Sequence, residues 1–137
     1  MSLRRRFVQR GSMSVFLAAS MVALLIAIGL GIDGSRALAG SLRVGGEAEM
    51  AARTGADALA VPSAYGGTEL SLNPSAAVNA ATSYVDATGD QLDSVTVTGA
   101  TVTVTVTTTV PTTILGLIGV ASITVTQSGT ATAEEGP

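Results

Sequence analysis

Few side chains in this chain of 137 residues could carry out catalysis or hold a metal. Cysteine, histidine, lysine and tryptophan are all absent. Their absence removes disulfides, thiolate and Schiff-base chemistry, and the commonest zinc ligands. The remaining carboxylates, hydroxyls and arginines form no nucleophile–base constellation and no glycine-rich phosphate-binding motif. The sequence therefore predicts no enzyme activity, no catalytic residue and no cofactor.

Two groups of carboxylates come closest to a functional pattern. Asp86, Asp90 and Asp93 lie close together in DATGDQLD, but their spacing is not that of a calcium loop and no bidentate glutamate follows. Glu47 and Glu49 are two residues apart, so a helix would place them on different faces rather than as a catalytic pair. We therefore expect solvated carboxylates and no metal site.

Charge and hydropathy divide the chain near residue 32. Arginines 4, 5, 6 and 10 precede residues 12–32, which carry no charge, whereas the chain from residue 13 onward has three arginines against ten acids. As a helix, the uncharged run would be about 31 Å long, close to the hydrocarbon thickness of a bilayer. The positive-inside rule then predicts a single-pass protein of the inner membrane, with residues 1–11 as a cytoplasmic basic tail and the rest extracytoplasmic. The acidic outer portion argues against a nucleic-acid partner.

The same segment also has features of a secretory signal. Ala37-Leu38-Ala39 before Gly40 matches a small-residue cleavage site, and the arginine run resembles a twin-arginine signal. However, the apolar run is longer than a signal peptide requires, and Asp33 and Arg36 separate it from the cleavage site. The sequence therefore favours a retained anchor. The alternative is a secreted binding or adhesion module released by cleavage after Ala39.

Small residues recur at every fourth position of the apolar run and just beyond it. On a helix they form a groove that would let a partner helix approach closely in lipid. The alternative is that an alanine-rich chain produces such a pattern by chance. The candidate helix-packing positions are Ala19, Ala23, Ala27, Gly31, Ser35 and Ala39.

Beyond the membrane, the sequence predicts a stalk helix over residues 33–61 and an α+β domain over residues 62–133, followed by a tail at 134–137. Gly45-Gly46 suggests a bend in the stalk, and Pro62 is expected to end it. Residues 63–73 are expected to form a loop. Asn73-Pro74 predicts the start of a short helix that reaches about Ala87 and is stopped by Gly89.

Alternating valine and threonine predict a β-hairpin after that helix. Valines are odd-numbered before Gly99-Ala100 and even-numbered after it, so a two-residue turn would keep all of them on one face. This register pairs Val97 with Val102. A bulky apolar crossing in PTTILGLIGVAS and a third, weaker strand through Ile123 and Val125 are expected to follow.

A sheet with one valine face and one threonine face is expected to be antiparallel and covered on one side only. The outer half of the stalk and the short helix are the available covers, so the predicted fold class is α+β. The threonine face could serve as a binding or aggregation surface, although β-propensity alone accounts for exposed threonines.

Three segments together resemble one known family. Arg10-Gly11 precedes the apolar run, GLGIDGSRALAG contains Asp33, Gly34 and Arg36 at the membrane exit, and AARTGADALA contains Asp57. With the final valine–threonine strands, their order is similar to that of the Tad/Flp pilus-assembly TadE/TadG-like proteins of bacteria, particularly the TadG-like branch.

The resemblance implies a pilin-like fold and a membrane-anchored minor pilin or pilus-assembly factor. Its implied partners are the membrane and other pilus-assembly or pilin proteins. In one respect the chain departs from the TadE-type pattern, because Phe16 stands where a glutamate is expected five residues after Gly11. This departure disfavours prepilin cleavage at Gly11 and fits an anchored accessory protein better than a shaft subunit.

Overall fold

The N-terminal part of the fold is a single helix, α1 (Val8–Leu59). The computed structural model describes residues 8–61 and 71–133, with the backbone alone described at residues 8–11, 60–61 and 71–72. With 52 residues, α1 is about 78 Å long. It continues without interruption through Gly45-Gly46, where a bend was expected, and it ends three residues before Pro62. The sequence predictions for the first seven residues, for Pro62, for most of the 63–73 loop and for the tail lie outside the described residues.

The two halves of α1 have different surroundings. Every residue from Ser12 to Ile28 is exposed, although most are large and apolar. From Val44 to Leu59, by contrast, one side of the helix forms a core with residues 74–133, and this unit is called the outer domain below after its predicted location. The fully or almost fully buried hydrophobic residues of α1 are Val44, Ala48, Ala51, Ala52, Ala56 and Leu59.

The short helix α2 (Pro74–Thr88) has the ends that its sequence predicts. The Asn73 side chain accepts a 3.1 Å hydrogen bond from the backbone N–H of Ala76, which caps the helix start. Gly89 ends the helix with a φ of 82°, a left-handed conformation that glycine adopts without steric cost. The α2 residues Ala77, Ala81 and Val85 are buried in the core that α1 contributes to.

The main sheet has three antiparallel strands in the order β3–β4–β5, which are β3 (Gln91–Thr98), β4 (Thr101–Pro111) and β5 (Ser122–Thr132). The pairing of Thr98 with Thr101, Val97 with Val102 and Val95 with Val104 confirms the predicted hairpin register. A separate two-stranded pair joins β1 (Ala60–Val61), which was expected to be the end of the stalk helix, to β2 (Ser71–Leu72), which was expected to be loop.

The two faces of the sheet differ as the valine–threonine alternation predicts. Val102, Val104 and Val106 of the central strand are fully buried against the helices. On the opposite face, cross-strand hydroxyl pairs join β4 to β5 at 2.6–3.2 Å, so these hydroxyls satisfy one another. The fold is therefore α+β, with a long apolar N-terminal helix and a small antiparallel sheet covered on one side.

The third strand predicted through Ile123 and Val125 is confirmed. β5 has 11 residues and pairs with β4 along its whole length, from Ser122 opposite Pro111 to Thr132 opposite Thr101. It continues to Thr132 although Gln127 and Gly129 interrupt the apolar alternation that marks the strand in the sequence. At Gly129, an added Cβ would collide with the α1 backbone at Ala48 and Glu49. The backbones of β5 and α1 are thus in direct contact at Gly129.

The apolar segment PTTILGLIGVAS is not a crossing but the tip of the β4–β5 hairpin. It contains a 3₁₀ helix (Leu115–Ile118) that ends at Gly119. The name hairpin tip is used below for residues 112–121. The strands run along α1, because Val110 of β4 adjoins Gly40 and Val102 of the same strand adjoins Gly55. The tip therefore points back towards the exposed half of α1.

Candidate functional site

The three clustered carboxylates were expected to be solvated, and Asp86 and Asp93 are exposed. Asp90 is instead half-buried and binds Arg43, and Asp93 accepts a hydrogen bond from the hydroxyl of Thr107. Within residues 8–61 and 71–133, no group of three or more metal-ligating side chains is close enough to hold an ion.

Arg43 joins the stalk to the sheet through a charged network. Its Nη1 donates to Glu47 at 2.5 Å and to Asp90 at 2.7 Å, and its Nη2 donates to Asp90 at 3.2 Å. Thr108 completes the network by donating to Asp90 at 2.7 Å. The bidentate guanidinium contact holds the pKa of Asp90 well below its usual value, whereas burial raises the pKa of Glu47. These three charges fix β4 and the start of β3 on the stalk.

A second polar contact lies where the uncharged part of α1 ends. The side chain of Asp33 is almost fully buried, with 1% of the residue exposed, although it is charged. Its Oδ1 accepts from the backbone N–H of Thr113 at 2.9 Å, and its Oδ2 accepts from those of Ile114 and Leu115 at 2.9 and 2.7 Å. Hydrogen bonds to an ionised acceptor are stronger than neutral ones. One carboxylate thus holds three consecutive amides of the hairpin tip.

Two neighbours of Asp33 strengthen this junction. Arg36, one turn further along α1, donates a hydrogen bond from Nη1 to the hydroxyl of Thr113. Gly29, one turn earlier, leaves space for Ile114, because an added Cβ at Gly29 would overlap the isoleucine side chain. The junction, defined here as Gly29, Asp33 and Arg36 against residues 113–115, joins the uncharged run to the outer domain.

The structure separates the remaining residues of sequence interest into two sets. The six small-residue positions from Ala19 to Ala39 are all exposed, so the outer domain leaves the groove open. Of the residues from the family resemblance, Asp33 and Arg36 lie in the junction, whereas Gly34 and Asp57 are exposed on α1. Gly11 lies in the first turn of α1, where only the backbone is described.

The largest uncovered feature of the described chain is the apolar surface of the first half of α1. One helix in these residues is long and apolar enough to cross a membrane by length and composition. Its large side chains are close to half exposed or more, for example Phe16 at 73% and Leu24 at 60%. Such a surface is unfavourable in water, so it requires lipid or a protein partner. The arrangement therefore offers an uncovered apolar helix and two polar contacts that hold the sheet on it.

Sequence reasoning missed both charged contacts between helix and sheet. In the sequence, Asp33 and Arg36 flank the apolar run and belong to the family pattern, whereas Arg43 belongs to no motif. Their partners lie 77 to 82 and 47 residues away, beyond any local pattern. The available signal was a lone aspartate directly after an apolar run, which needs a partner if it is buried.

No protein-family model, curated protein or solved structure matches this chain.

Proposed function

We propose that the protein is a membrane-anchored structural or assembly component of a Tad (Flp) type pilus or secretion system, similar to a minor pilin. Its helix stays in the inner membrane with the N-terminus in the cytoplasm, and the outer domain contacts other pilus components. The observation that carries the proposal is the division of α1 into an uncovered apolar half and a half that forms the domain core. The proposed membrane anchor and the stalk are then two parts of the same continuous helix.

The junction argues for retention of the helix rather than cleavage after Ala39. That bond lies inside α1, and Gly40 on its far side packs closely against Val110. Cleavage would remove Asp33 and leave the amides of residues 113–115 without their acceptor. Losing hydrogen-bond partners of buried groups destabilises a fold. The anchored form therefore keeps contacts that the secreted adhesion module would lose.

The pilus assignment rests on the resemblance in motif order, and one long helix on a small antiparallel sheet is compatible with the fold that this resemblance implies. Fold-level likeness alone does not define function, so the assignment needs a functional test. The exposed groove from Ala19 to Ala39 supplies a surface on which partner helices could pack in lipid.

The test is deletion and complementation in a bacterium that carries both this gene and a Tad locus. Pili are counted by electron microscopy, and the tagged full chain is purified from detergent-solubilised membranes. We expect pili to be lost on deletion and restored by the wild-type gene, with Tad inner-membrane components co-purifying. Normal piliation without the gene, and no Tad component bound to the purified chain, would contradict the proposal.

A further inference from the structure

We infer that the hairpin tip is a second membrane contact, which inserts into the outer leaflet beside α1 and holds the outer domain against the lipid surface. The inference rests on the proposed function only in requiring that α1 spans the membrane. Its subject is a loop some 80 residues from the anchor in sequence, and it does not depend on the pilus assignment.

The hairpin tip lies beside the last turn of the uncharged run of α1. Ile114 of the tip packs on Gly29, which lies inside the uncharged run and three residues before its end at Ile32. At about 1.5 Å per residue, that contact is about 4.5 Å deeper than Ile32 along the helix. A helix that spans the bilayer with residues 12–32 therefore brings the tip to the level of its own last membrane turn.

The side-chain chemistry of the tip also favours insertion. The tip exposes three large apolar side chains, with Leu117 83%, Ile118 65% and Val120 44% exposed. No charged residue occurs between Asp93 and Glu134, so the whole hairpin is uncharged. Insertion would remove apolar surface from water without the cost of burying a charge. If the loop stayed in water, these apolar side chains would remain hydrated, which is unfavourable.

The peptide N–H groups of the tip need hydrogen-bond acceptors within the protein, because lipid offers none. Asp33 accepts from the amides of residues 113–115. Other tip amides donate to carbonyls within the tip, and the Thr112 hydroxyl donates to the carbonyl of Val120. These internal donors are the amides of Thr112, Leu117, Gly119 and Val120. Seven of the ten tip amides thus have an acceptor in the protein, which lowers the cost of moving the tip into the interface.

The occupant that these observations favour is lipid rather than a protein. The tip contacts α1 at Gly29, within the apolar run, so a bilayer around that run would also reach the tip. The tip carries no charge for steering a charged partner or an anionic headgroup. Insertion should therefore be the same in zwitterionic and anionic bilayers and should be insensitive to salt.

The natural absence of tryptophan makes a single-tryptophan experiment direct. The full chain is reconstituted into vesicles of phosphatidylcholine with or without brominated acyl chains, which quench nearby tryptophan. Leu117→Trp and Ile118→Trp report on the tip, and Leu30→Trp reports on α1. Thr132→Trp is the control, since it lies at the other end of β5, ten residue steps of about 3.3 Å from Ser122.

We expect both tip variants to lose emission in brominated vesicles to a similar extent as Leu30→Trp, while Thr132→Trp stays unquenched. Quenching of Leu30→Trp without quenching of either tip variant would overturn the inference and leave the anchor intact. Blue-shifted but unquenched tip emission would also overturn it, because it would place the tip in a protein contact. An unquenched Leu30→Trp would refute the anchor itself, and the inference with it.

Discussion

The carboxylate of Asp33 accepts a 2.7 Å hydrogen bond from the backbone N–H of Leu115, a residue 82 positions later in the chain. This contact links the end of the uncharged helix to the tip of the β4–β5 hairpin. It makes the outer domain an extension of the helix rather than a body on a flexible tether, and several predictions depend on that connection.

Replacing Asp33 with asparagine should loosen the hairpin tip. Asparagine keeps the shape of the side chain but removes its charge and replaces one acceptor oxygen with a donor. Hydrogen bonds to charged groups contribute about 1.5–3 kcal/mol, so amide exchange at residues 113–115 should accelerate by roughly ten- to a hundredfold. Hydrogen–deuterium exchange of the detergent-solubilised full chain measures this effect. Asp57→Asn, on an exposed part of α1, is the control and should leave exchange at the tip unchanged.

Gly129 should tolerate no side chain. Its Cα faces the α1 backbone at Ala48, so Gly129→Ala should force strand and helix apart and lower the free energy of unfolding by about 1–3 kcal/mol. Gly46→Ala is the matched control, because it adds the same methyl group where no atom lies within 4 Å. In a helix interior this change should stabilise by about 0.5–1 kcal/mol. Thermal unfolding followed by circular dichroism compares the two, and equal effects would contradict the close packing.

Acid should weaken the link between stalk and sheet. Because Arg43 lowers the pKa of Asp90 in the fold, Asp90 contributes stability above its unfolded value of about 3.9, and this stability is lost as the pH falls through the folded value. Glu47 has the opposite sign, since its raised pKa costs stability as the pH rises above about 4.3. The downward shift of the Asp90 pKa is the larger of the two, so unfolding should become easier at low pH in the wild type.

Two variants separate these contributions. Asp90→Asn should lower the free energy of unfolding at neutral pH by about 1 kcal/mol, a small amount because the partner Arg43 is half exposed. It should also reduce the acid limb, which is the decrease of stability as the pH falls. Glu47→Gln should leave the acid limb in place. Melting temperatures measured across the acid range provide the comparison, and an unchanged acid limb in Asp90→Asn would refute the assigned role.

The small-residue groove predicts a specific effect of added bulk. Ala27→Leu or Gly31→Leu should weaken association with partner helices in detergent or lipid, because leucine prevents close backbone approach. Ala18→Leu is the matched control, since nine residues at 100° each place it on the opposite side of α1 from Ala27. Co-purification yields from solubilised membranes measure association. Equal yields for all three variants would refute the groove.

Local patterns predicted the parts of the fold that local geometry controls. The change in valine parity at Gly99-Ala100 fixed the hairpin register, and Asn73-Pro74 with Gly89 marked the ends of α2. The full length of β5 could not be predicted, because Gln127 and Gly129 interrupt its apolar alternation while its backbone pairing with β4 continues. The contacts of Asp33 and Arg43 could not be predicted, because their partners are brought near only by the tertiary fold.

The central claim is that the apolar helix is retained in the membrane and continues into the outer domain. It is tested most directly by the intact mass of the native protein recovered from alkaline-washed membranes and from the soluble fraction. We predict a chain that still contains residues 12–39 and remains with the membranes. A chain that begins at Gly40 and is released into the soluble fraction would contradict the account.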